Sequence, residues 1–131
     1  MEPKPTPHFN IPVRASIERY PTGEVYRLQS VDDSETFTPE DYERIAQVCS
    51  EPLIYNMLFK DLFKERPYTP QDAESFVKMA KDGWKNLITF IFLIRDPQNR
   101  IVAAIDIKTN QLLLYICMQI HLIFYLPYKI F

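Results

Sequence analysis

Leu87-Ile-Thr-Phe-Ile-Phe-Leu-Ile-Arg95, Asp96-Pro-Gln-Asn-Arg100 and Ile101-Val-Ala-Ala-Ile-Asp-Ile-Lys108 follow one another without a break. The first and third pieces are apolar, rich in β-branched and aromatic residues, and similar in length. The second is a cluster of turn-forming residues, so the three together spell a hairpin. The first piece is apolar almost without interruption. That pattern predicts a strand buried on both faces, hence central in its sheet.

Upstream, the spacing of apolar residues lengthens to a helical period. Thr69-Pro-Gln-Asp72 is a helix start: Thr69 caps free amides, Pro70 fits the first turn and Asp72 suits the positive end of the dipole. Ala73, Phe76, Val77, Ala80 and Trp84 follow on one face, and Gly83 marks the expected end. Thr38-Pro-Glu-Asp41 repeats the same signal ahead of Tyr42, Ile45, Ala46 and Cys49. These are two helices begun by the same physics, not an internal repeat. Between them Ser50-Glu-Pro52 restarts the chain into a further helical stretch. Its apolar set is Leu53, Ile54, Met57, Leu58, Leu62 and Phe63, and it ends at Arg66-Pro67. Val25-Tyr-Arg-Leu-Gln29 alternates and is expected to be the first strand. Val31–Phe37 is a loop. Strand, helices, hairpin and a further apolar strand make an α/β (α+β layered) domain with helices packed on a mostly antiparallel sheet.

The two ends differ in composition from this middle. Residues 1–24 hold Pro3, Pro5, Pro7, Pro12 and Pro21 and are expected to be an extended or disordered lead-in. The opening residues lack the apolar core of a signal peptide. From 109 to 131 the only charge is Lys129. Leu112–Leu126 is too short for a membrane helix and carries Gln119 and His121 in mid-run. Read with period two, it has one wholly apolar face and suits a long strand. Such a strand needs a surface. The reading favours the chain's own sheet, with self-association through residues 112–126 and a membrane as alternatives.

The composition limits the function. The 131 residues carry 15 Lys and Arg against 17 Asp and Glu, so no basic excess exists to attract nucleic acid. Two cysteines, Cys49 and Cys117, are too few for a disulfide scaffold and read as reduced thiols in a cytoplasmic or nuclear chain, not a secreted one. Cys49 lies on an apolar helix face and reads as core. His8 and His121 have no partners at metal-ligand spacing, so no metal site is expected. Cys117 and His121 would stand about 13 Å apart on a strand, too far for a nucleophile pair. Asp32, Asp33 and Glu35 form an acidic stretch after the Val25 strand, which reads as a solvated loop, with a patch that attracts a cationic amine as the alternative. Only Gly23 and Gly83 are glycines, so a Gly-rich phosphate cradle is missing.

Several segments, taken as a set, resemble the GNAT N-acetyltransferase superfamily, in its ribosomal-protein and spermidine branch. They are Val25-Tyr-Arg-Leu28, Glu51-Pro-Leu-Ile-Tyr55, Tyr68-Thr-Pro-Gln-Asp-Ala-Glu-Ser-Phe76, Trp84, Ile88–Asp96 and Asn99–Ile105. The resemblance covers about residues 25–108, the N-terminal half of that fold. It implies a sheet that splays open further along the chain, acetyl-coenzyme A as the acyl donor bound in the opening, and an amine acceptor that is a small molecule, a protein N-terminus or a lysine. It also implies an acceptor-side wall at about residues 50–59, with Tyr55 and Asn56 as its polar groups, though a buried tyrosine satisfying its own hydroxyl is the commoner reading of Tyr55. Asp33 and Glu35 of the acidic stretch are further acceptor-side candidates. The family's diphosphate loop has no counterpart here, because no glycine follows Gly83. No catalytic or cofactor-binding residue is therefore carried over. The abrupt tail suggests a truncated, spliced or mis-assembled product, expected to be inactive alone.

Overall fold

The structure, a computed structural model, describes residues 10–109 and 118–124. Strands β1 (Arg14–Glu18), β2 (Val25–Ser30), β3 (Thr89–Arg95) and β4 (Ile101–Thr109) form an antiparallel sheet. The backbone of β5 (Met118–Phe124) adds to the far side of β4, giving the order β1-β2-β3-β4-β5. Helices α1 (Pro39–Ser50), α2 (Pro52–Leu58) and α3 (Pro70–Lys85) occupy the long connection between β2 and β3. The expected class is present: helices layered on an antiparallel sheet. His8, Cys117 and tail residues 110–117 and 125–131 lie outside the described residues, as does the side chain of His121.

The central hairpin follows its sequence closely. β3 lies between β2 and β4 and is buried along most of its length. The turn after it is closed by Asp96, whose carboxylate accepts from the amides of Gln98 (3.0 Å) and Arg100 (2.8 Å). Asn99 takes a left-handed φ of 68°, a conformation asparagine tolerates well. Both helix starts also form as written. Thr38 accepts from the Asp41 amide and Asp41 accepts from the Thr38 amide, a reciprocal capping box. Thr69 and Asp72 repeat it on α3.

Packing then sorts the faces. α1 and α3 lie together on one face of the sheet. Ile45, Ala46, Cys49, Ala73, Val77 and Ala80 meet Ile91, Leu93, Ile101 and Ala104 there. On the other face Trp84 packs edge-on against Phe90 and Phe92, at ring distances of 5.0 and 5.2 Å. Its indole N–H donates to the Ile91 carbonyl at 2.9 Å. That bond satisfies a donor that would be costly to bury alone.

Four readings change. The Val25 strand is the second, because Arg14–Glu18 precedes it and pairs with it around Gly23, whose φ of 75° suits a residue without Cβ. The signal was weak because every β1 side chain is exposed and no burial pattern marks the strand. Gly83 does not end its helix, since α3 continues to Lys85. It is there for closeness: a Cβ on it would stand 2.8 Å from the Thr89 carbonyl oxygen. β3 starts at Thr89 and not Leu87, because Leu87 turns through a φ of 56°. Finally, α2 stops at Leu58. Leu53, Met57 and Leu62 of its expected apolar set face solvent, while Ile54 and Phe63 pack inward.

Candidate functional site

The acidic stretch after β2 does not stay together. Asp32 is only 2% exposed and turns inward. Its carboxylate accepts from the hydroxyls of Ser30 and Ser34 and from the Ser34 amide. Burial pushes its pKa up, but these hydrogen bonds and the charge of Arg14 outweigh burial and leave it below the ordinary carboxylate range. Asp32 is thus a loop staple and no part of a surface patch. Asp33 is exposed. Glu35 pairs with Arg14 at 2.9 Å, and its carbonyl accepts from Lys81 Nζ at 2.7 Å. A patch of three free carboxylates is therefore absent among the described residues.

Tyr55 and Asn56 sit on α2, at the far end of α1 from Glu35. α1 spans 12 residues, or roughly 18 Å. Tyr55 donates its hydroxyl to the Arg66 carbonyl, tying α2 to the start of the next connection. Asn56 is exposed between Leu53 and Met57, so α2 presents one amide framed by two apolar side chains. Phe59, Phe63 and Tyr68, which follow α2 in the chain, form an aromatic cluster with ring distances of 4.9 to 5.5 Å, in which Phe63 and Tyr68 are stacked and Phe59 meets Tyr68 edge-on. Tyr68 also contacts Cys49, whose thiol burial pushes up to about 11. Cys49 is therefore protonated at neutral pH and is core, not nucleophile.

A second feature was not anticipated. An open cleft of about 920 Å³ lies where the helix-side face of the sheet runs out beyond α1. Strand register puts Ser16, Arg27, Arg95 and Ile101 in one row across β1 to β4. The β4 register skips Val102 beside Arg95, a bulge at the sheet end. Arg95 is nearly buried, with its side chain 7% exposed. It donates to Asp41 Oδ1 at 2.8 Å, to Gln29 Oε1 at 3.3 Å and to the Asn99 carbonyl at 3.0 Å. Burial raises the Asp41 pKa, while Arg95 and the Thr38 cap pull it down further, so the carboxylate is ionised well below neutral pH. Arg27 donates to the Asn99 side-chain oxygen, and Arg44 donates to the Ile101 carbonyl at 2.9 Å. Residues from positions 14 to 101 meet here, and no local spacing in the sequence announces them.

The two glycines serve the fold. Gly23 is in a hairpin turn and Gly83 is pressed against Thr89. At the N-termini of α1 and α3 the Asp41 and Asp72 carboxylates accept from the N-cap amides, and the Thr38 and Thr69 hydroxyls accept from the amides of Asp41 and Asp72. Asp72 is further held by Arg66 through two 2.9 Å bonds, and its pKa lies well below the ordinary value.

Among the described residues, no group of three or more His, Cys, Asp and Glu is placed to hold a metal ion, and no helix is long and apolar enough to cross a membrane. Compared with known proteins, the chain matches no family model, no curated protein and no solved structure.

Proposed function

We propose that the chain is a GNAT-like N-acetyltransferase module that receives an amine on its α1–α2 side and transfers no acetyl group by itself. The supporting observation is the element order. Strand β2, a run of three helices and the β3–β4 hairpin fold as one antiparallel unit, with α1 and α3 on the same face. That is the order expected for the acceptor half of such an enzyme. The exposed Leu53, Asn56 and Met57 then form the acceptor surface: the amide oxygen accepts from an ammonium, and the flanking side chains cover an alkyl chain. Tyr55 holds α2 in place through Arg66 and is a positioning residue. The free, buried Cys49 thiol is in keeping with a reducing cytoplasmic or nuclear location.

The test is an isotope-labelled chain titrated with spermidine and with a lysine peptide, followed by amide shifts, beside a thiol-release assay with acetyl-coenzyme A. Shifts centred on Leu53, Asn56 and Met57, lost in Asn56→Ala, with thiol release at background, are the expected result. Thiol release above background, or shifts that avoid α2, would sink the reading.

A second reading is self-association through residues 112–126. Met118–Phe124 pairs with β4, so this part of the tail is taken by the chain's own sheet. The outer edge of β5 has no neighbouring strand among the described residues and is where a second copy adds. A single monomeric species in sedimentation, at all concentrations, removes that reading.

A further inference from the structure

The cleft beyond α1 holds an arrangement that folding alone does not favour. Arg27 on β2 and Arg95 on β3 are direct cross-strand partners. Like charges in that relation destabilise a sheet. Arg95 is balanced by Asp41 at 2.8 Å. Arg27 has only the neutral Asn99 amide and no carboxylate partner among the described residues. Arg14, Arg44 and Arg100 complete a lining of five guanidiniums against the carboxylates of Glu35, Glu40 and Asp41. A further carboxylate, Asp96, lies buried behind Arg100 and pairs with it at 2.9 Å. The whole chain is acidic, with a formal charge of −2, so this concentration of guanidinium is local.

The geometry points to a binding site for a small phosphate-bearing polyol, of sugar-phosphate chemistry, floored by Arg27 and Arg95 and walled by Thr38, Arg44 and Asn99. Three observations choose that class. The volume, about 920 Å³, lies at the upper end of the range for small-molecule pockets and holds a ligand of that size. Guanidinium forks match phosphate oxygens, and a phosphate beside Arg27 would supply the anion that Arg27, unlike Arg95, lacks among the described residues. The lining contains carboxylates and the amides of Gln29, Gln98 and Asn99, which suit hydroxyls. It contains no aromatic side chain on which a nucleobase would stack. The cleft is at the opposite end of α1 from Asn56, so ligand here and amine on α2 are separate events.

Isothermal titration of the full chain with fructose 1,6-bisphosphate, pyrophosphate and fructose tests this. Saturable one-site binding is expected for the bisphosphate, weaker binding for pyrophosphate and none for fructose. Added salt should weaken both anions. Arg27→Gln should weaken the bisphosphate about tenfold or more, the effect of losing a charge-assisted bond, and Arg27→Lys should fall between. Arg27 is exposed and faces Arg95, so Arg27→Gln should melt no lower than the parent and Arg27→Lys should melt close to it. Amide shifts on adding bisphosphate should centre on Arg27, Thr38 and Asn99 in the unaltered chain. Absence of saturable binding, affinity unchanged in Arg27→Gln, or shifts elsewhere would overturn the proposal. So would pyrophosphate binding as tightly as the bisphosphate, since the hydroxyls would then contribute nothing.

Discussion

Gly83 on α3 and Thr89 at the start of β3 approach so closely that a Cβ on Gly83 would stand 2.8 Å from the Thr89 carbonyl oxygen and 3.0 Å from its Cβ. The contact lets the last turn of α3 lie against the first residue of β3 and sets where Trp84 enters the sheet's opposite face. Gly83→Ala improves helix propensity by about 1 kcal/mol. It also forces a backbone shift of the kind that costs about 1–3 kcal/mol. The clash should win, and the melting temperature should fall. A rise would mean that the two elements separate freely.

The Arg95–Asp41 pair joins β3 to the first turn of α1, with side chains 7% and 17% exposed. Arg95→Met should cost about 3 kcal/mol, because Asp41 would keep its charge without its partner. Adding Asp41→Asn should recover part of that loss. Chemical denaturation of the two single variants and the double variant measures the coupling.

The two capping boxes give smaller, separate effects. Thr38→Ala and Thr69→Ala should each destabilise by about 1 kcal/mol, while the corresponding serine variants should stay near the parent. Denaturation midpoints check both.

Acid should unfold the chain through its aspartates. Asp32, Asp41 and Asp72 all titrate below the ordinary value of 3.8 in the folded chain. Their contribution is complete above that value and is lost as pH falls through the lower folded values. Melting temperature should be insensitive to these groups between neutral pH and about pH 5, then decline below about pH 4. Asp72→Asn should melt earlier at neutral pH and lose less on acidification.

Tyr55→Phe separates two roles. The hydroxyl donates to the Arg66 carbonyl near the surface, so its loss should cost about 0.5–1 kcal/mol in stability. Affinity for spermidine should stay within twofold of the parent, about 0.4 kcal/mol, because the tyrosine positions α2 and does not touch the amine.

What could be read from the sequence was local. Thr38 with Asp41 and Thr69 with Asp72 act over three residues, and Asp96–Arg100 closes its turn over four, so both were legible. Gly83 was misread because its purpose is Thr89, across a turn, and not the end of its own helix. Asp32 was misread because the serines on either side, Ser30 and Ser34, fold its carboxylate inward. Leu53, Met57 and Leu62 kept helical spacing but lacked a surface to meet. The arginine cleft was invisible for a different reason. Its members come from β1, β2, α1, β3 and the hairpin turn, and only strand register brings them together.

The solitary indole of this chain is an optical probe that needs no labelling. Trp84 touches both aromatic rings of β3 and donates a hydrogen bond to that strand's backbone, yet it belongs to the neighbouring helix. Its emission colour therefore reports whether α3 is docked. A red shift that precedes the loss of circular dichroism would show the helix lifting away as a unit before the strands part.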